Sequence, residues 1–312
     1  MTDYPYTLME FENKFGNDTD CLMYLIQIKW PDGFICSKCN GNKYWIASRN
    51  RIICSDCKKH TYITAGTIFH GTHKPLSVWF RAIWHLTSQK YGANALGLQR
   101  IIGFGSYATA WTWLHKLRRV MIRPGRDNLN GIVEVDETYI GGAKSGKRGR
   151  GAEGKTLVLI AVEDKTNTFG RIRLQKISNA SENSLIQGIK NMIEPGSTIR
   201  TDGWSGYSNI EDHGYKHVIT RKESNIGDEL LPLAHRIASL LKRWLIGTYQ
   251  GAVESKHLDY YLDEYTFRFN RRKSRYRGKL FYRLLQQIML IDPVTYNDIV
   301  GGFGSNNKGG VN

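Results

Sequence analysis

The sequence predicts an α+β chain of several domains: a small β-ribbon and a helical segment ahead of a mixed sheet with helices packed on it. Three observations predict it. Two Cys-x-x-Cys pairs lie in a stretch of short, strand-like runs; the apolar spacing then turns helical, broken by glycines; beyond that come three apolar strands and then strand–helix alternation.

Residues 7–30 read as a short helical segment with Cys21, Leu22, Tyr24, Leu25 and Ile28 on its apolar face. Cys21 fits there as a small core residue. In the next stretch Cys36-x-x-Cys39 and Cys54-x-x-Cys57 are separated by fourteen residues, and Tyr44, Ile46 and Ile52 suggest a hairpin turning at Ser48–Asn50. Two such knuckles can close a tetrahedron of thiolates around one structural Zn²⁺, which supplies folding free energy to a ribbon too small to hold a core. Four cysteine ligands leave no open position, so this zinc is not catalytic.

A helix is expected from Pro75 with Leu76, Phe80, Ile83, Trp84 and Leu86 buried, and a second over about 93–102. After Gly103-Phe104-Gly105, Ser106 can cap a third helix, with Tyr107, Ala110, Trp111, Leu114 and Leu117 inward and Thr109, Thr112, Lys116 and Arg119 elsewhere. Helix, glycine turn, helix is the pattern of a helix-turn-helix unit, so Lys116 and Arg119 are candidate DNA contacts.

Past a linker at Arg123–Arg126, the runs GIVEVDETYI, TLVLIAVED and GRIRLQKI read as strands, NSLIQGIKNMI as a helix, STIRTD as a fourth strand and 231–272 as largely helical. The expected domains are therefore 1–73 (N-terminal helix and ribbon), 74–123 (helix-turn-helix), 124–295 (α/β domain) and 296–312 (a Gly-rich flexible tail).

Charge narrows the partners. Lys and Arg number 44 against 28 Asp and Glu, a formal +16. Nucleic acid is the usual partner for such a surface, an anionic membrane the alternative. No stretch approaches the roughly 18 apolar residues of a spanning helix, and the acidic, polar N-terminus is no signal peptide, so a cytoplasmic chain working at the nucleoid is expected. The basic run 268–283, with Arg271, Arg272 and Lys273 and interleaved aromatics, suits phosphate contact, as do Lys144, Lys147 and Arg148 in a glycine-rich loop. That loop mimics a nucleotide-binding pattern, but it precedes a strand instead of following one and opening a helix, so no nucleotide cofactor is expected. Trp204, Trp244 and Tyr249 are read as core residues or as stacking platforms for frayed bases.

Asp136 and Asp202 each fall at or near the end of a predicted strand, ahead of glycine-containing loops. Two such carboxylates on one sheet can hold divalent ions that serve phosphoryl transfer. Glu137, pointing to the opposite face, is expected to pair with a Lys or Arg. His235 and Lys242 are seven residues apart, on one face of a helix, able to approach a metal and a phosphate respectively.

The paired cysteines, GTIFHGTHKPLSVWF, VEVDETYIGG, TDGWSGY and HRIASLLKRWLIGTYQGAVESKHLDYYLDEYTFRFNRR, in that order, resemble an insertion-sequence transposase of the DDE class, in the group headed by a zinc ribbon. The resemblance implies a ribonuclease-H-like domain and catalytic metal ligands at Asp136 and Asp202. It also implies a third ligand followed seven residues on by a Lys. His235 stands where most of the class has Glu; Glu229, Asp228 and Glu223 are the alternatives. The ion would be Mg²⁺ or Mn²⁺, the softer imidazole accommodating Mn²⁺ at least as well. The implied partners are terminal inverted repeats and target DNA, with a homo-oligomer in the active complex. A non-catalytic DNA-binding regulator, a nuclease that cuts without rejoining and an inactive relic are the rival readings.

Overall fold

The computed structural model describes residues 4–48, 50–141, 155–166, 168–220, 230–251 and 253–301, which fall into two compact units: the chain up to Pro124 together with Lys273–Val300, and Gly125–Arg272. The expected domain 124–295 is therefore divided, its residues from 273 onward packing with the first unit.

In the first unit, α1 (Leu8–Lys14) and α2 (Asp18–Lys29) start at Thr7 and Asn17, whose side chains accept the N–H groups of Glu10 and Asp20. Cys21 is fully buried in α2. The ribbon has three antiparallel strands, β1 (Tyr44–Ala47), β2 (Arg51–Cys54) and β3 (His60–Tyr62), with β2 in the middle. The sequence suggested two; β3, three residues long, carries too little pattern to show.

Three helices follow: α3 (Leu76–Ser88), α4 (Ala95–Ile102) and α5 (Tyr107–Arg119). Pro75 is the cap residue of α3 and provides no acceptor; Asp18 of α2 does, accepting from Leu76 N at 3.2 Å and Ser77 N at 3.0 Å. Gly103, at φ +75°, closes α4 in the left-handed region, and Ser106 caps α5 through Thr109 N at 3.2 Å. The inward face of α5 holds Ala110, Leu114 and Leu117 as expected, but not Tyr107 or Trp111. Tyr107 is 53% exposed, while Trp113 is buried and stacked on Trp79 with ring centroids 3.3 Å apart.

The second unit is a five-stranded sheet: β4 (Ile132–Ile140), β5 (Thr156–Asp164), β6 (Phe169–Ile177), β7 (Thr198–Thr201) and β8 (Lys216–Ile219), ordered β6-β5-β4-β7-β8. β5 runs antiparallel to both neighbours, whereas β4, β7 and β8 are mutually parallel. Counted within the unit this is order 3-2-1-4-5 with only the second strand reversed, a ribonuclease-H-like arrangement. Residues 157–163 of β5 are all buried, because both faces of the sheet are covered. On one face α6 (Glu182–Met192) packs with Val133, Val135, Leu159 and Ile199. On the other, α7 (Pro232–Tyr249) and α8 (Leu258–Asn270) pack on Ile140, Val158, Ile160 and Ile172.

The chain then returns to the first unit with α9 (Arg277–Ile288). Its Phe281 is fully buried, 5.5 Å from Phe11 and from Phe15 and 5.6 Å from Phe80 between ring centroids. Leu280 and Phe281 of the basic run are thus core residues of the first unit, whereas Tyr276 is exposed.

Candidate metal and nucleic-acid site

Asp136 lies in the middle of the nine-residue β4, not at its end as the sequence suggested. β4 continues to Ile140 because β5 pairs with it throughout, whereas β7 pairs only with Ile132–Glu134. On the β7 side, then, Asp136 sits just past the last paired residue. The parallel register sets Glu134 against Arg200, and two residues further along each strand stand Asp136 and Asp202. Neighbouring strands lie about 4.8 Å apart. Asp202 directly follows β7 and is exposed. Its Oδ1 accepts Trp204 N at 3.0 Å, and Gly203, at φ +80° against Ile219, turns the chain in a conformation only glycine adopts readily.

Alternation along β4 sends Glu134 and Asp136 toward α7 and Val133, Val135 and Glu137 toward α6. On the first of these faces His235 Nε2 stands 3.4 Å from Asp136 Oδ2, with the imidazole 44% exposed and the carboxylate 16%. Lys242 is two turns further along α7, also on its exposed side. The start of α7 is held by Glu134, whose Oε2 accepts Leu233 N at 2.9 Å and Ala234 N at 3.0 Å. Sequence reading missed this residue. The one available signal was negative: a helix beginning Leu-Pro-Leu-Ala has no Ser, Thr, Asp or Asn to cap it.

On the opposite face Glu137 accepts the phenol of Tyr207 at 2.7 Å, a partner the sequence did not suggest. Tyr207 is fully buried, five residues past Asp202, so the bond ties the loop after β7 to β4.

The electrostatics are those of crowded acids. Burial, then Glu137 and Asp202, push the Asp136 carboxyl up to about 6, with His235 pulling the other way. Partial burial and Lys155 hold the Lys242 ammonium below its ordinary value, opposed by Asp136. Carboxylates that repel one another next to an imidazole are a donor set that a divalent cation would relieve, and oxygen with nitrogen suits Mg²⁺ or Mn²⁺. By this chemistry the residues fit such an ion. Among the described residues, however, only the cysteines gather three or more metal donors tightly enough to hold one as they stand.

Those cysteines fit zinc closely. Sγ of Cys36 and Cys57 are 3.5 Å apart, those of Cys39 and Cys54 3.6 Å, and all four lie within 4.8 Å of one another. A Zn–S bond of about 2.3 Å gives tetrahedral edges of about 3.8 Å. The two knuckles are built alike. Asn40 N donates to Cys36 O and Lys58 N to Cys54 O, and Asn40 and Lys58 both adopt φ +59°. None of the five cysteines forms a disulfide.

The remaining basic candidates differ in availability. Lys116 and Arg119 are half-exposed on α5, and Lys273 is exposed. Arg271 donates to Phe267 O and lies over the Phe267 ring. Arg272 is committed to structure: it donates to the carbonyls of Phe169, Gly170 and Phe269 and lies 4.1 Å from the Phe269 ring centroid. Trp204 donates its indole N–H to Ala180 O, and Trp244 and Tyr249 pack against Tyr265 and Tyr261, so each is a packing residue. Lys144, Lys147, Arg148 and the alternative ligands Glu223, Asp228 and Glu229 lie outside the described residues.

A four-cysteine ribbon ahead of a ribonuclease-H-like sheet with adjacent aspartates defines a class, the DDE transposases with a zinc-ribbon head. Residues 16–60 match a transposase zinc-ribbon domain and residues 128–270 an ISXO2-like transposase domain, both of the IS1595 group. The chain belongs to the zinc-ribbon-headed insertion-sequence transposases of that class. Among solved structures, the crystal structure of the catalytic core domain of BIV integrase is similar at 15% identity and a TM-score of 0.30, over 49% of this chain and 94% of that one. No curated protein matches the chain. Among the described residues no helix is long and apolar enough to cross a membrane.

Proposed function

We propose that the protein binds the terminal inverted repeats of an insertion sequence, cuts DNA at the element end and joins the freed end to target DNA. The observation that carries this reading is the meeting of Asp136 with His235 at 3.4 Å, on a strand whose parallel neighbour runs directly into Asp202. Asp136, Asp202 and His235 are the catalytic residues that would hold Mg²⁺ or Mn²⁺. When bound, such ions activate the attacking oxygen and stabilise the leaving one. Asp136 and Asp202 contribute negative charge from a rigid strand and from the loop after β7. His235 contributes a ring-nitrogen donor from α7, and Lys242 holds a phosphate of the same strand two helical turns away. In the first step water attacks a phosphodiester and a 3′-hydroxyl leaves. In the second that hydroxyl attacks a phosphodiester of the target, forming one P–O bond as another breaks.

Recognition of the repeats falls to the first unit. The glycine turn between α4 and α5 supports a helix-turn-helix assignment, with Lys116 and Arg119 on α5, and Lys38, Lys43, Arg49, Arg51, Lys58 and Lys59 of the ribbon, contacting DNA. Lys273, with Lys144, Lys147, Arg148 and Arg271, would follow the phosphate backbone. Two or more copies would bring two element ends together.

A strand-transfer assay with a precut 3′-end tests the reading. The wild type should join it to target DNA in Mg²⁺ or Mn²⁺, and Asp136→Asn and Asp202→Asn should each lose at least a thousandfold in rate while still binding the repeat. Cutting without joining would identify a nuclease. Undiminished function in both variants would identify a non-catalytic regulator.

A further inference from the structure

α7 starts without a cap of its own. Its cap residue is Leu231, which has no side-chain acceptor, and Pro232 fills the first position. The next two residues, Leu233 and Ala234, are buried, so water does not serve their N–H groups. Both donate to a single oxygen, Glu134 Oε2, from a strand 99 and 100 residues earlier in the chain. Glu134 is 3% exposed, and its register neighbour Arg200 is paired with Asp164 at 2.8 Å. The acceptor is therefore fixed within the sheet, and the negative charge meets the positive end of an eighteen-residue helix.

What makes this arrangement more than a cap is its address. Glu134 and Asp136 stand two residues apart on the same face of β4, and His235 directly follows Ala234 on α7. The tie between strand and helix is thus made one residue from the point where the helix presents its imidazole to Asp136. A shift of α7 by one residue would move His235 by about 1.5 Å and turn it by about 100°, enough to lose the 3.4 Å contact.

We infer that Glu134 is a positioning residue: by pinning the first amides of α7 to β4 it sets the height and rotation of the helix, and so aims His235 and Lys242 at the ground before Asp136. The inference rests on the reading of Asp136, Asp202 and His235 as the ion-holding set, and its test separates the two.

The test uses the full-length, zinc-loaded protein and the variants Glu134→Gln, which keeps one neutral acceptor, and Glu134→Ala, which keeps none. The first readout is free of divalent ions: the ¹⁵N resonances of the His235 ring, and how far Asp136→Asn moves them. In the Glu134→Gln background that response should shrink at least fivefold, with a melting transition retained. The second readout is strand transfer at saturating DNA in Mn²⁺. The single-turnover rate should fall about tenfold to a hundredfold, as for other residues that orient a ligand, with DNA affinity unchanged. Should Glu134→Ala fail to fold, Glu134→Gln and Glu134→Asp decide the matter. A full Asp136 response at His235 together with a wild-type rate in the folded variants would overturn the positioning role while leaving the proposed activity intact. A wild type that transfers no strand, with His235 still uncoupled by Glu134→Gln, would sink the activity and leave the positioning role standing.

Discussion

The ribbon and the sheet gather their polar side chains in opposite ways. The ribbon's four thiols come from two knuckles of the same build, each closed by its own backbone bonds, within residues 36–57. The sheet's candidate groups come from the middle of β4, the end of β7 and the first turn of α7, separated by 66 residues between Asp136 and Asp202 and by 33 between Asp202 and His235. A local cluster can be finished by its ion, whereas a distributed one must be finished by the fold. The ribbon is too small to hold a core without an ion, whereas the sheet carries a buried apolar core on each of its faces.

The largest effect that could break this contrast is removal of zinc. Structural zinc contributes about 10–16 kcal/mol to such folds. Chelation should abolish amide protection over 36–62 while the strands β4–β6 keep theirs, as read by hydrogen exchange; equal loss in both regions would end the distinction.

The next effect concerns Asp136. Its folded-state pKa of about 6 lies above the ordinary 3.8, so the native state binds the proton more tightly than the unfolded one. Stability tied to that proton is present below about 4 and lost as pH rises through 6. Without added Mg²⁺ or Mn²⁺, Asp136→Asn should therefore stabilise the second unit at pH 7.5, by at most about 3 kcal/mol, and do nothing at pH 3.5. Denaturant melts at the two pH values decide it. Added Mn²⁺ should reverse the order by stabilising only the wild type.

Tyr207→Phe removes a buried phenol from Glu137 and should cost about 1–3 kcal/mol in the second unit. If the loop after β7 depends on this tie, the amides of Gly203 and Trp204 should also exchange faster, an outcome that a purely local cavity would not produce.

Smallest is the difference between two adjacent residues of the basic run. Arg272→Ala should lower the stability of the second unit with little effect on DNA binding, because its donors already serve Phe169 and Gly170. Lys273→Ala should leave the melt unchanged and reduce the salt dependence of DNA binding by about one unit of slope. Identical behaviour would mean that the backbone bonds of Arg272 do not decide its role.

What was legible follows from the same contrast. The ribbon could be read because fourteen residues of spacing carry its whole geometry. β4, β5 and β6 could be read because long alternating or continuous apolar runs leave few other choices, and β5 matches the run TLVLIAVED throughout. β8 could not: three of its four residues are exposed, and Lys-His-Val-Ile has no periodic face. The run GIVEVDETYI reached the observed end of β4, but Asp136 was set too near that end: it lies mid-strand, and only the short pairing of β7 with Ile132–Glu134 leaves it beyond a paired edge. The inward side of α5 was misjudged because Trp113 competes with Trp111 for the core, and Trp79, which settles the choice by stacking, belongs to another helix. Asp136, Asp202 and His235 could be singled out from spacing and resemblance; the carboxylate beneath α7 could not, since its two bonds span almost a third of the chain.

The return of α9 to the first unit gives the chain an order of assembly. On the ribosome, α1, α3 and the ribbon emerge first, but the pocket between Phe11, Phe15, Phe80 and Trp84 stays unfilled until Phe281 is made, after the whole sheet. A nascent head must wait through the synthesis of an entire second unit with aromatic rings unsatisfied. A premature stop codon before residue 277 would therefore injure the beginning of the protein as much as its end.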